Sequence, residues 1–228
     1  MTDIVILICE RENLFRRTLG HIQDRTTTSH RICVVDDNSG YTAYLEGLLK
    51  SGAIDDLVVR RKRRGIAANY RKLQRFTTSD PIVVTDDDVL CPKLEPDWLE
   101  RGLVEMAKRP RLGLLALNNP QANLGDRRHI ILRGPNVTTC YNVGGTFLFI
   151  RRELLGRIGP SDKERHPAKA ICFAAAKLGY EVGYLTQIYC QHLGVVSVRR
   201  KRRDYADELQ KVYPTNSDTL EAPDGYKG

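Results

Sequence analysis

The first half of the chain alternates between two kinds of segment when it is read for hydrophobicity alone. Residues 4–9, 32–35, 57–59, 82–85 and 112–117 are short, β-branched and apolar without alternation. Uninterrupted runs of this kind mark strands covered on both faces, as in a parallel sheet. Between them, residues 14–23, 41–49, 67–76 and 96–109 place apolar positions at helical spacing, and Pro96 suits a first helical turn. The order βαβαβαβ predicts an α/β fold: a Rossmann-like, mostly parallel twisted sheet flanked by helices. Ligands are then expected at the carboxyl ends of the strands, near a switch in strand order.

After residue 117 the rhythm breaks. Residues 118–134 are polar and punctuated by Pro120, Gly125 and Gly134, so they read as a long loop or short hairpin, an acceptor-facing lid. Residues 146–150 then read as a strand, 151–158 and 168–178 as helices, and 182–186 and 188–190 as short strands leading to His192. No linker interrupts this order. The expectation is a single domain over residues 1–213, with a donor half at 1–117 and an acceptor half at 118–213. Residues 214–228, rich in Asp, Thr, Pro and Gly, have too little apolar content to pack and read as a mobile tail. A chain of 228 residues that is 41% hydrophobic can bury one core without a partner domain.

Cysteine and charge narrow the class. The six cysteines form no C-x-x-C pair, and Cys9 and Cys33 sit inside apolar runs, which predicts reduced thiols and a cytoplasmic protein. No apolar run approaches the about 20 residues that span a bilayer, and Met1 leads straight into a strand without a basic leader, so no transmembrane segment is expected. The formal net charge is +8. Much of it lies in two runs, Arg60-Arg61-Lys62-Arg63-Arg64 and Arg199-Arg200-Lys201-Arg202-Arg203. Such runs either attract polyanions or form solvated loops.

The acids carry the chemistry. Asp86-Asp87-Asp88 directly follows the strand at 82–85. Three adjacent carboxylates repel one another, and a cation relieves the repulsion; oxygen ligands of this kind suit Mg²⁺ or Mn²⁺. A solvated strand-to-loop turn is the bland alternative. The second strand also ends in acid, Asp36-Asp37-Asn38-Ser39-Gly40, so both clusters fall at carboxyl ends of one sheet and should share a crevice. An Asp there accepts hydrogen bonds from a nucleobase or ribose, or else caps the following helix in an Asx turn.

Taken in order, residues 4–10, Ile32 through Ser39, Arg64-Gly65-Ile66-Ala67-Ala68, Ile82 through Asp88, Gly144 through Leu154, and Gly179-Tyr180 through His192 resemble the family two inverting glycosyltransferases of the A-type fold. The resemblance covers roughly residues 3–198. It implies transfer of a sugar from a nucleotide diphosphate, in particular a UDP-sugar, to a hydroxyl, with inversion and a bound Mn²⁺ or Mg²⁺. By resemblance Asp36 contacts uracil or ribose, with Cys9 and Glu10 beside it. Asp88 holds the metal, Asp86 faces the ribose or the metal's water shell, and Asp87 serves in either register. His192 resembles a histidine that reaches the same metal, and Gly144-Gly145 lets backbone approach the acceptor. Arg64 and Arg199, from the two basic runs, would hold the diphosphate.

Two departures stand out. The family's general base is an Asp preceded by an acid, and its slot here holds Pro167-Ala168. The nearest substitutes are Asp162, Glu164 and His166; they equally read as helix caps or partners of Lys163 and Arg165. The Arg-Asn pair expected after Gly65 is also missing at its usual spacing. Because the two runs supply ten cations, more than a diphosphate needs, they imply a polyanionic acceptor, such as a hydroxylated base in DNA. A lipid-linked or anionic glycan at a membrane surface and a free small molecule are the rival acceptors. A nucleotidyltransferase would carry a glycine-rich loop after its first strand, and Cys9 to Asn13 has no glycine. A nucleic-acid-binding module derived from an inactive transferase is the remaining alternative, separable by metal and nucleotide binding.

Overall fold

The structure, a computed structural model, describes residues 1–70, 72–119, 130–157 and 167–193. Strands β1 (Thr2–Ile8), β2 (His30–Asp36), β3 (Asp56–Val59) and β4 (Ile82–Asp86) alternate with helices α1 (Glu12–Arg25), α2 (Thr42–Ser51) and α3 (Ile66–Tyr70). Then follow β5 (Val89–Leu90), α4 (Trp98–Lys108), β6 (Leu112–Asn118), β7 (Ile130–Leu132), β8 (Val137–Cys140), β9 (Leu148–Ile150), α5 (Arg152–Arg157), α6 (Pro167–Lys177), β10 (Glu181–Tyr189) and β11 (Gln191–His192). Among the described residues, nine strands form one sheet in the order β3-β2-β1-β4-β9-β6-β10-β8-β7, and β11 pairs with β5 in a separate ribbon.

The expected parallel sheet is present. Strand β1 runs parallel to β2 and β4, β2 to β3, and β6 to β10. Strand β9 lies antiparallel between β4 and β6, so this later strand is inserted into the sheet, while β10, β8 and β7 extend it beyond β6. Both faces are covered, as the unalternating strands required. Ile4, Ile6 and Ile8 pack on one face with Phe15 and Ile22 of α1 and Trp98 and Met106 of α4. Val5 and Leu7 face the other side, with Tyr70, Leu154, Ile171 and Ala175. No described helix is long and apolar enough to cross a membrane.

Several boundaries differ from the sequence reading. Helix α4 starts at Trp98, two residues after Pro96. The Asp97 carboxylate caps it, accepting from Leu99 N and Glu100 N at 2.8 and 2.9 Å, and its other oxygen takes Thr27 N and Thr28 N. The expected helix over 67–76 is instead α3 followed by a 3₁₀ turn at Leu73–Arg75. Its apolar residues Tyr70, Leu73 and Phe76 recur every three positions, a spacing that a 3₁₀ turn places on one side, and all three pack against the sheet. The two short strands expected at 182–190 are one strand, β10, whose pairing with β6 shifts register between Tyr184 and Tyr189. Strand β7 and the end of β6 fall inside the expected loop at 118–134, and residues 120–129 lie outside the described residues.

One close approach makes a stability prediction. A Cβ on Gly102 of α4 would stand 2.2 Å from Cζ of Phe149, a fully buried ring in β9. Gly102→Ala should therefore lower unfolding free energy by about 1–3 kcal/mol through overpacking. Urea denaturation measures this, and Phe149→Leu in the same chain should recover part of the loss.

Candidate active site

The chain builds β1, β2 and β3 outward and then returns to the other side of β1 as β4, so the switch in strand order lies between β1 and β4. The loops at the carboxyl ends of these two strands carry Cys9, Glu10 and Arg11 on one side and Asp86, Asp87 and Asp88 on the other. Asp86 closes β4, and the turn through Asp87 and Asp88 leads into β5. Strand β11 pairs antiparallel with β5, matching His192 to Val89, and Leu193 N donates to Asp88 O at 2.7 Å. This short ribbon delivers His192 to the acids.

The ligand atoms of Asp86, Asp88 and His192 all lie within 4.8 Å of one another. Nε2 of His192 is 3.2 Å from Asp88 Oδ1 as an ion pair, and Asp88 Oδ1 is a buried oxygen that accepts no further hydrogen bond among the described residues. Two carboxylates and an imidazole fit Mn²⁺ or Mg²⁺. Asp87 points elsewhere. Its Oδ2 accepts from Cys9 N at 3.2 Å, and its Oδ1 receives Arg11 Nη2. Arg11 Nη1 donates to Asp88 Oδ2, so one guanidinium spans both acids. Thr18 of α1 secures the same turn by donating to Asp87 O at 3.0 Å.

Electrostatics follow from this crowding. Burial and the neighbouring Asp88 and Asp87 raise the Asp86 carboxyl above its ordinary range. Burial pushes Asp87 up to about 7 against the opposing pull of Arg11. Burial acts the same way on Asp88, yet His192 and Arg11 outweigh it and hold that carboxyl below its usual value. His192 is the counterpart: burial disfavours its charged form, but Asp88 lifts its pKa. A cluster short of positive charge is held together by one arginine and one histidine.

The acids after β2 take different positions. Asp36 is fully buried, accepting from Ser39 N at 2.7 Å and from Thr42 Oγ1 at 3.1 Å, and so holds the turn into α2. Asp37 reaches across to the basic loop after β3, accepting from Arg64 N at 2.8 Å and Gly65 N at 2.7 Å. Glu10, at φ 60°, sits 3.1 Å from Arg63 Nη1. Cys9 is half-buried with Sγ 3.9 Å from Asp37 O. Cys9, Glu10, Asp36, Asp37, Arg64, Asp86, Asp87, Asp88 and His192 thus come from the loops after β1, β2, β3 and β4 and from β11. Gly144 and Gly145 precede β9; a Cβ on Gly145 would meet Tyr70 Oη at 3.6 Å and Ala168 Cβ at 3.7 Å, which places Gly145 against the first turn of α6.

Asp162, Glu164, His166 and Arg199 lie outside the described residues, as do the second basic run and the tail. Sequence reasoning missed Arg11. A lone arginine in the loop after β1, in a chain whose next strand ends supply five acids, was the available signal.

A sequence profile for glycosyl transferase family 2 matches residues 3–158, more than half of the chain. The chain belongs to glycosyl transferase family 2. No curated protein matches it in sequence. Among solved structures, the fold is similar to the mannosyltransferase PcManGT from Pyrobaculum calidifontis in complex with GDP-Man and Mn²⁺, with TM-score 0.69 and 18% identity over 91% of this chain and 59% of that one. GalNAc-T7 with UDP, GalNAc and Mn²⁺ gives TM-score 0.65 and 11% identity, over 84% of this chain and 43% of that one. TarS residues 1–349 from S. aureus gives 0.58 and 12%, over 93% and 64%. The family member described here therefore spans less than two thirds of each of these chains. At such identities the likeness carries the fold, and the local geometry must carry the chemistry.

Proposed function

We propose that this family member transfers a sugar, with inversion, from a nucleotide diphosphate to a hydroxyl acceptor. The observation that carries this reading is the meeting of Asp86, Asp88 and His192 within 4.8 Å beside the switch between β1 and β4. These three residues would hold Mn²⁺ or Mg²⁺, which when bound neutralises charge on the departing diphosphate. Cys9 and Glu10 border the nucleoside in this reading, while Asp36, committed to Ser39 N and Thr42 Oγ1, shapes the turn beside it, and Asp37 holds the Arg64 backbone at the crevice so that Arg64, with Arg199, meets the phosphates. Gly144 and Gly145 leave room for the acceptor beside α6. The segment before that helix, with Asp162, Glu164 and His166, supplies the group that takes the acceptor's proton. UDP-sugars and GDP-mannose are the first donors to test, since two similar folds were solved with UDP and with GDP-Man. The acceptor is polyanionic in this reading, a hydroxylated base in DNA being one that suits the charge.

Isothermal titration of a panel of UDP-, GDP- and TDP-sugars tests the reading, with Mn²⁺ present and after chelation by EDTA. One donor should bind with Mn²⁺ and lose at least about tenfold in affinity without it. Failure of every donor to bind under both conditions would leave a nucleic-acid-binding module as the better description.

A further inference from the structure

The loop from β3 to α3 holds more positive charge than the donor crevice uses. Arg63 is paired with Glu10 beside that crevice, and the Arg64 backbone N donates to the Asp37 carboxylate. Arg60, Arg61 and Lys62 precede them. Together with Val59, Ala68 and Lys72, residues 60–64 line a cleft of about 930 Å³ that among the described residues carries six basic side chains, of which Arg63 is paired with Glu10, and no carboxylate in its lining. Its size falls within the about 300–1,000 Å³ of ligand sites. Strand β3 is the edge strand, with β2 and β1 between it and β4. Three strand spacings of about 4.8 Å separate the base of the cleft from the metal ligands, so a diphosphate at the acids, met by Arg64, leaves Arg60, Arg61 and Lys62 unaccounted for.

Arg60 gives the cleft its chemistry. Its backbone N donates to Asp36 O at 2.9 Å, which fixes the residue at the end of β3. Its side-chain Nε and Nη2 are buried and have no hydrogen-bond partner among the described residues. A guanidinium stays charged at any physiological pH, and donors withdrawn from water without an acceptor are costly. An oxyanion that drew the Arg60 fork toward the cleft would supply the missing acceptors, and the planar fork of arginine suits phosphate oxygens in pairs. No aromatic side chain lines the cleft among the described residues, which offer no platform for stacking a base. The group it recognises is the phosphate itself.

We propose that this cleft is a second anion site, which holds consecutive phosphates of a phosphodiester-linked polymer while the polymer's hydroxyl is presented at the donor crevice. The role of acceptor rests on the transferase reading; the binding of the polymer does not.

Fluorescence anisotropy with a labelled single-stranded oligodeoxynucleotide tests it, with inorganic polyphosphate and inorganic phosphate as competitors, for the wild type, Arg60→Gln, and the exposed pair Arg61→Gln with Lys62→Gln. Binding should weaken linearly in log salt, polyphosphate should compete, and monomeric phosphate at equal phosphorus should not. Arg60→Gln should weaken binding by about tenfold, and each cation removed should flatten the salt slope by about 0.7. Thermal melts establish that the variants are folded, and the exposed pair keeps the test open if Arg60→Gln is not. Affinity and slope unchanged in the folded variants would overturn the proposal. So would oligonucleotide binding that polyphosphate cannot displace, which means the bases are read, or Arg60-dependent binding confined to vesicles of anionic phospholipid, which means a membrane surface. Polymer binding that depends on Arg60, in a wild type that binds no nucleotide sugar, would retain this site and remove the transferase reading.

Discussion

Asp88→Asn should lose Mn²⁺ affinity by at least about a hundredfold, and turnover with the donor identified by titration by about a thousandfold. Asp88 is where the two halves of the site join: Oδ1 faces His192 at 3.2 Å and Oδ2 receives Arg11. An amide of the same shape removes the negative charge that both cations face. Whichever way it is turned, it sets an NH₂ against either the arginine or the ion. Because the substitution is nearly isosteric, far-ultraviolet dichroism should stay unchanged while titration with Mn²⁺ shows the loss. Wild-type Mn²⁺ affinity in Asp88→Asn would place the ion elsewhere and dismantle the ligand set.

Arg11→Ala should destabilise the metal-free protein and make it more dependent on metal. The substitution leaves Asp87 and Asp88, 0% and 2% exposed, without the cation that spans them. Breaking a fully buried ion pair costs about 3–5 kcal/mol. The Arg11 side chain is 39% exposed, so solvent screens part of that, and we expect about 2–3 kcal/mol. For a chain of this length the melting temperature should fall by about 4–12 °C. Saturating Mn²⁺ should raise the melting temperature of Arg11→Ala by more than it raises that of the wild type, because the ion then supplies charge the arginine no longer gives. Calorimetric melts with and without Mn²⁺ read both effects. Equal metal-induced shifts in the two proteins would mean that Arg11 does not balance the cluster's charge.

The first half of the fold was legible because its signals are local. Runs such as 4–9 and 82–85 have no polar alternation, and only a sheet buried on both faces accommodates them. Strand ends marked by Asp36-Asp37 and Asp86-Asp87-Asp88 then fell on one side of that sheet by topology alone. Where helix starts were misread, a short-range competitor decided: Asp97 caps α4 more effectively than Pro96 starts it, since its carboxylate accepts from two backbone N–H groups of the first turn. The later half was less legible. Its strands β7, β8 and β9 are three or four residues long; β8 pairs with β10, and β9 with β4 and β6, antiparallel and distant in sequence, and nothing within three residues specifies such a partner.

By itself, then, the sequence determined the class of the sheet, the presence of carboxylates at its ligand-binding end and the two blocks of positive charge, all of which are properties of short stretches of chain. The tertiary structure decided which acids act together. It separated Asp87, tied to Cys9 N and Arg11, from Asp86 and Asp88, and brought His192 to them through the pairing of β11 with β5. It also turned Asp36 inward to Ser39 and Thr42 and left Nε and Nη2 of Arg60 buried without an acceptor among the described residues. Side-chain direction and partnership depend on what the rest of the fold places opposite each residue, and no local pattern contains that information.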